Sequence, residues 1–281
     1  MIAYIENERF RVGAKDIGAE LSSFADRGEE LLWQGDENVW SGQSPLLFPV
    51  VGRLREDTYC LGNKTYNIPK HGFARKAVFK RESASKDEMT FLLTETPETL
   101  ACFPFPFELR VHYYFAEGGF VMEHRVKNTG DATMYFSIGA HPGFRCAMGD
   151  KVVMDETETA AAFRLNENGL RAAEQTPVFD HSREVVVTPD VFAADALIFD
   201  GLQSGGCTLQ RANGRRIHVD FGGAPCLGLW AKPGAPYVCI EPWYGMDDTP
   251  AATGILSGKK QIVKLAPGSC FRFPMTITAH E

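Results

Sequence analysis

Two histidines and a carboxylate stand beside glycine, proline and aromatic residues in three short islands: Lys70-His71-Gly72-Phe73-Ala74-Arg75, Ala140-His141-Pro142-Gly143-Phe144 and Cys239-Ile240-Glu241-Pro242-Trp243. Imidazole titrates near pH 6.5 and a glutamate can be tuned toward that range by its surroundings, so the set is equipped for acid/base work. Aromatic faces nearby suit the apolar faces of a pyranose. The chemistry these residue types can perform together is proton transfer on a carbohydrate.

Opening a cyclic aldose needs a base for the O1 proton and an acid for the ring oxygen. Rotation about C1–C2 and reclosure then exchange the anomers. One carboxylate and one imidazole across the C1–O5 edge suffice, and positioned groups of this kind contribute about 10²–10⁴-fold. The reaction calls for neither a metal nor a cofactor, and none is expected. No His-Glu-x-x-His, no His-x-His followed by Glu, no Gly-x-Gly-x-x-Gly and no P-loop occurs in the chain, so motifs support neither a metal centre nor a nucleotide site. His112, His124, His181, His218 and His280 carry no motif and are expected to be structural or solvated, and Asp247-Asp248 to form a solvated turn.

The elements that must position these groups read as strands. Runs at Phe10–Val12, Tyr66–Ile68, Thr90–Leu93, Phe107–Phe115, Phe120–Asn128, Met134–Gly139, Glu184–Val187, Cys207–Gln210, Ile217–Phe221, Cys226–Ala231, Tyr237–Glu241 and Phe271–Ile277 are rich in β-formers. Turn signals such as Glu117-Gly118-Gly119 and Ala212-Asn213-Gly214 separate many of them. Glu108 through Asn128 reads as a hairpin, with Phe107, Leu109, Val111, Tyr113 and Phe115 on one face. Helical periodicity is confined to a short segment near Pro97–Cys102 and a turn near Pro189–Ala194. No linker, repeat or low-complexity run divides residues 1–281, and one all-β domain is expected.

Composition narrows the class. The 281 residues are 44% hydrophobic and 23% charged, as in a soluble globular protein. A net charge of −7 argues against a nucleic-acid partner, which needs Lys and Arg to neutralise phosphates. No apolar run approaches the roughly 20 residues of a membrane span. Seven cysteines without a C-x-x-C pair fit reduced thiols. With no basic start followed by an apolar stretch at the N-terminus, a cytoplasmic protein, monomer or homodimer, is expected.

The three islands, together with Trp40 through Arg53 and Asp195-Ala196-Leu197-Ile198-Phe199-Asp200, resemble the aldose 1-epimerase (galactose mutarotase-like) family, in particular a bacterial branch reading His-Gly-Phe-Ala-Arg. The resemblance extends from about Ala19 to about Pro274. It implies a large antiparallel β-sandwich and an isomerase that interconverts the anomers of a free hexose. It makes Glu241 the base at O1 and His141 the acid at the ring oxygen. His71 matches the histidine that orients substrate, Arg53 the arginine on sugar hydroxyls and Asp195 a substrate-binding carboxylate, with Asp200 nearby; Trp243, and with it Trp230, would flank the ring. The family's tyrosine after the His-Pro pair is replaced here by Gly143, followed by Phe144. Lys70 and Arg75 beside His71 raise an alternative substrate, a hexose 6-phosphate. A non-catalytic sugar-binding β-sandwich is the alternative from another class, and a glycosidase is disfavoured because it needs two flanking carboxylates.

Overall fold

The alternation read along the chain becomes a β architecture in the computed structural model, which describes residues 1–281. Its ladders run antiparallel. A central sheet winds from Leu46–Leu47 through Ile138–Ala140, Tyr237–Tyr244, Cys226–Trp230, Leu197–Asp200 and Lys151–Leu165. It continues through Gly206–Gln210, Arg216–Asp220, Cys270–His280, Gly119–Asn128, Phe107–Ala116 and Glu88–Thr94 to Lys80–Ala84. A four-stranded sheet, Ile2–Glu6, Phe10–Lys15, Leu21–Asp26 and Glu29–Glu30, packs against it. At that contact Phe24 meets Phe120 edge-on at 4.9 Å, and the Tyr113 hydroxyl donates to the Ala19 carbonyl at 2.7 Å. This is the expected large antiparallel sandwich, and buried apolar residues from Ala3 to Ala279 join one core.

The expected hairpin forms as Phe107–Ala116 and Gly119–Asn128, in register from Ala116 opposite Gly119 to Phe107 opposite Asn128. Phe107, Leu109, Val111 and Tyr113 are buried on one face while their neighbours are only half-buried, the period-2 pattern of a strand with one face on the core. Pro97–Cys102 is the helix, closed by a capping box in which Thr96 and Thr99 exchange side-chain and backbone hydrogen bonds. The turn near Pro189–Ala194 contains a 3₁₀ segment, Asp190–Phe192. A long hairpin of Lys151–Leu165 and Arg171–Val186 was legible only at its end, Glu184–Val187, because register shifts interrupt its pairing and much of it is exposed.

Register places the chemistry. Tyr237–Tyr244 pairs with Ile138–Ala140 at Gly139 opposite Trp243, and with Gly143–Arg145 at Gly143 opposite Cys239. Both pairings share one register, in which residue 141 faces residue 241. Between the two short strands Pro142 has no N–H to give, but its carbonyl accepts from the Ile240 N–H at 3.1 Å and keeps the chain on the sheet edge. His141 is thereby set beside Glu241 by the ladder itself.

The His71 loop is held by the aromatic core. Phe48 is fully buried among Phe73, Phe103, Phe107 and Phe136, a burial worth about 1.5–3 kcal/mol. Its carbonyl accepts the Phe73 and Ala74 N–H groups at 3.0 and 3.1 Å. The loop turns through left-handed backbone at His71 (φ 66°) and Gly72 (φ 70°).

Candidate active site

These elements close around a cavity of about 230 Å³ whose walls include Trp40, Lys70, His71, Arg75, His141, Asp195, Trp230, Glu241, Trp243 and Asp247. Of the residues singled out from sequence, Glu241, His141, His71, Asp195, Lys70, Arg75, Trp230 and Trp243 converge here. Arg53 does not. Its guanidinium bonds the Asp57 carboxylate at 3.2 Å and the Asn168 carbonyl at 2.9 Å, outside the cavity. What Arg53 gives the site is its backbone: its N–H donates to Asp247 Oδ1 at 2.7 Å. The guanidinium of Arg53, expected on sugar hydroxyls, is thus turned to Asp57 and Asn168, while its main chain anchors a cavity-lining carboxylate.

Glu241 is 2% exposed, and its Oε1 lies 3.3 Å from His141 Nδ1. The His141 Nδ1 atom and Glu241 Oε2 are both buried without a hydrogen-bond partner. Leaving such atoms unsatisfied costs about 1–3 kcal/mol each, so the pair carries hydrogen-bonding capacity that the protein itself does not use. Burial drives the two groups in opposite directions. The Glu241 carboxyl is pushed well above the usual carboxylate range by loss of solvent, with the Lys70 charge opposing that rise. The His141 imidazole is lowered to about 3, again chiefly by burial. Burial thus favours the neutral form of each group.

His71 completes the polar wall with a defined tautomer. Its Nδ1 accepts the Gly52 N–H at 3.1 Å, while the His71 main-chain N–H donates to the Gly52 carbonyl at 2.9 Å. The ring proton is therefore on Nε2, and burial keeps the ring neutral by lowering its pKa well below normal. The His71 and His141 rings stand edge to face, 6.1 Å apart. Arg75 donates to the Lys70 carbonyl at 3.0 Å and leaves Nε buried without a partner.

Aromatic surfaces frame the acid/base pair. Trp40 stacks on the His141 ring at 5.2 Å and 25°, and Trp230 meets it edge-on at 5.8 Å. The glycine at 143 makes the first contact possible, since a Cβ there would stand 2.8 Å from Trp40 Cζ3. Trp40 thus occupies space beside His141 that a side chain at 143 would otherwise contest. Trp243 likewise lies across Gly139 and Gly228 on the flanking strands, where Cβ atoms would approach it to 2.5 and 2.7 Å.

The acidic residues separate cleanly. Asp195, exposed at the rim, accepts the Ala196 N–H on Oδ1 at 2.7 Å. Asp200 is outside the cavity, bonded to Gln261 at 2.9 Å and ion-paired with Lys260. The Asp247-Asp248 pair is not the solvated turn expected from sequence: the two residues are 5% and 6% exposed. Asp248 accepts the Arg55 N–H at 3.0 Å and pairs with Lys259, and burial raises the Asp247 carboxyl. Trp40, Pro45 and Leu165 line the cavity without an assignment from sequence, and Asp247 lines it where a solvated turn was expected. Trp40 lay within a segment already singled out, whereas nothing around Asp247 signals burial.

The aldose 1-epimerase family model matches residues 1–248. Protein LacX (plasmid) of Lactococcus lactis subsp. lactis is 33% identical, with 95% of each chain aligned. A galactose mutarotase related enzyme from Lactobacillus acidophilus superposes with a TM-score of 0.94 at 33% identity, covering 100% of this chain and 98% of that one. A galactose mutarotase-like protein from Lactobacillus casei gives a TM-score of 0.94 at 26% identity over 100% of both chains. With the cavity, its acid/base pair and these matches in agreement, the chain belongs to the aldose 1-epimerase family.

Proposed function

We propose that the protein is a mutarotase that interconverts the α and β anomers of an aldohexose by opening and reclosing the ring. The observation that carries this reading is the buried Glu241–His141 pair, 3.3 Å apart with unsatisfied polar atoms facing a cavity of monosaccharide scale. A sugar receptor needs donors, acceptors and aromatic faces, but it gains nothing from burying an unpaired carboxyl against an imidazole.

In this reading the proton that burial keeps on Glu241 first passes to His141 across their 3.3 Å contact. Carboxylate Glu241 then takes the O1 proton as His141 delivers its own to the ring oxygen, and closure on the opposite face reverses both transfers, so the net charge of the site is conserved. Lys70 favours the carboxylate that the base must become. His71, donating from Nε2, holds a sugar hydroxyl, and Trp40, Trp230 and Trp243 exclude water and pack on the ring. Fixing the reacting atoms in this way removes much of the entropic cost of the transfer.

A second reading of the substrate is favoured by Lys70 and Arg75. Both line the cavity, and Arg75 Nε has no partner, so a hexose 6-phosphate would find charge-assisted donors there. Polarimetry on freshly dissolved α-glucose and α-galactose, beside a coupled assay on glucose 6-phosphate, tests both. Acceleration of anomer exchange supports the mutarotase, and the larger kcat/KM identifies the substrate class. No acceleration on any of the three contradicts the reading.

A further inference from the structure

Cys239 precedes Glu241 by two residues on the same strand, so both side chains project from one face of the sheet. It does not line the sugar cavity and is fully buried behind it, with no task in anomer exchange. Its Sγ, a ring nitrogen of His141 and a Glu241 carboxylate oxygen all lie within 4.8 Å of one another. These are the three donor types that bind zinc. In a tetrahedral zinc site the nitrogen and carboxylate oxygen stand about 3.4 Å apart, and here that separation is 3.3 Å. The sulfur, at about 2.3 Å from zinc, would need to approach by at most about 1 Å, a shift within reach of a Cys χ1 adjustment. The unpartnered His141 Nδ1 and Glu241 Oε2, which a sugar would also use, are free to serve as ligands when no sugar is bound.

We propose that His141, Cys239 and Glu241 form a three-ligand site for a thiophilic divalent cation, zinc above all, whose binding reversibly shuts the active site. Entry is through the sugar cavity, past the partly exposed imidazole of His141. Binding expels the thiol proton of Cys239 and the carboxyl proton of Glu241, so the neutral imidazole, thiolate, carboxylate and dication together carry no net charge. That neutrality spares the nearby Lys70 and Arg75 from facing an added positive charge. The fourth position stays open toward the cavity, where water or a sugar hydroxyl would complete the tetrahedron. Because the cation occupies both proton-transfer groups, metal and turnover exclude each other.

Metal binding itself is independent of the functional reading, whereas inhibition rests on it, and the test separates the two. Cobalt(II) is titrated into the intact protein and the thiolate-to-cobalt charge-transfer absorption is followed in wild type, Cys239→Ser and Cys239→Ala. The band is expected in wild type and absent from both variants. A band that survives in the variants, or none in wild type, overturns the site whatever the protein does to sugars. Zinc affinity measured by calorimetry is expected to fall at least about 100-fold in Cys239→Ser, since even outer partners of metal ligands are worth about 10–100-fold. Zinc is then expected to inhibit wild-type mutarotation competitively with sugar, while the serine variant keeps its basal rate and loses that sensitivity. Equal zinc inhibition of the two proteins would overturn the proposal.

Discussion

Gly72 offers the sharpest link between backbone geometry and activity. Its φ is +70°, and a Cβ there would stand 2.2 Å from the Phe48 carbonyl oxygen, 2.5 Å from that carbonyl carbon and 2.7 Å from Pro49 N. All three are main-chain atoms of the segment that holds the His71 loop, so no flexible side chain can yield. Restoring ordinary contact at about 3.5 Å requires a backbone shift of roughly 1 Å. The left-handed conformation adds about 1–2 kcal/mol for a residue with Cβ, and forced overpacking about 1–3 kcal/mol. Gly72→Ala should therefore destabilise the protein by about 2–5 kcal/mol, lowering Tm by roughly 4–20 °C at about 2–4 °C per kcal/mol. His71 would move with the loop, and misplacement of a substrate-holding group by about 1 Å costs about 10²-fold in kcat/KM. Gly62→Ala is the control: φ is +58° and nothing lies within 4 Å of the added methyl, so only the conformational cost applies and activity should persist. Thermal unfolding and polarimetry on both variants decide the matter. A Gly72→Ala protein that melts and turns over like Gly62→Ala would refute the reasoning.

Three further outcomes are expected. Arg53→Ala, which removes a guanidinium bonded to Asp57 and Asn168 outside the cavity, should leave KM for sugar within about twofold, since the Arg53 N–H that holds Asp247 survives the change; KM values from polarimetric rates check this. Lys70→Met removes the charge that lowers the Glu241 pKa, so the rising limb of the kcat/KM–pH profile should move to higher pH, and an unmoved limb would sever Lys70 from the base. His124, buried and lowered to about 4 mainly by burial, is neutral in the fold but titrates near 6.5 when unfolded. Its contribution is fully present above pH 6.5 and is lost as pH falls toward 4, amounting to about 3 kcal/mol at the 1.36 kcal/mol that each pKa unit carries. Denaturant melts of His124→Gln should show a correspondingly shallower acid loss than wild type.

The parts of the fold legible in the sequence were those whose burial has a simple period. Phe107–Ala116 alternates because one face packs on the core, and the Glu117-Gly118 turn fixes its partner. The Lys151–Leu165 and Arg171–Val186 hairpin obeys no such rule, since its register shifts repeatedly. In the site, His141 and Glu241 were readable because their strand-end islands meet in a single register. The hold of Arg53 on Asp247 was not legible because the fold uses its N–H, and sequence advertises a side chain rather than a main-chain donor. The Asp247 carboxylate was hidden by the opposite effect: paired aspartates suggest solvent, yet Gly52 leaves room for one of them, a Cβ there being 2.1 Å from the Asp247 carboxyl carbon. Trp40 could be placed over His141 only once Gly143 was seen to face it.

The most direct test of the account is the rate of anomer exchange in Glu241→Gln, measured by polarimetry on a fresh α-aldose that the wild-type protein accelerates. Glutamine nearly preserves the buried shape but cannot take a proton. With Tm retained, the rate should fall by at least about 10²-fold; exchange at the wild-type rate would show that Glu241 is not the base and that the acid/base account of this cavity is wrong.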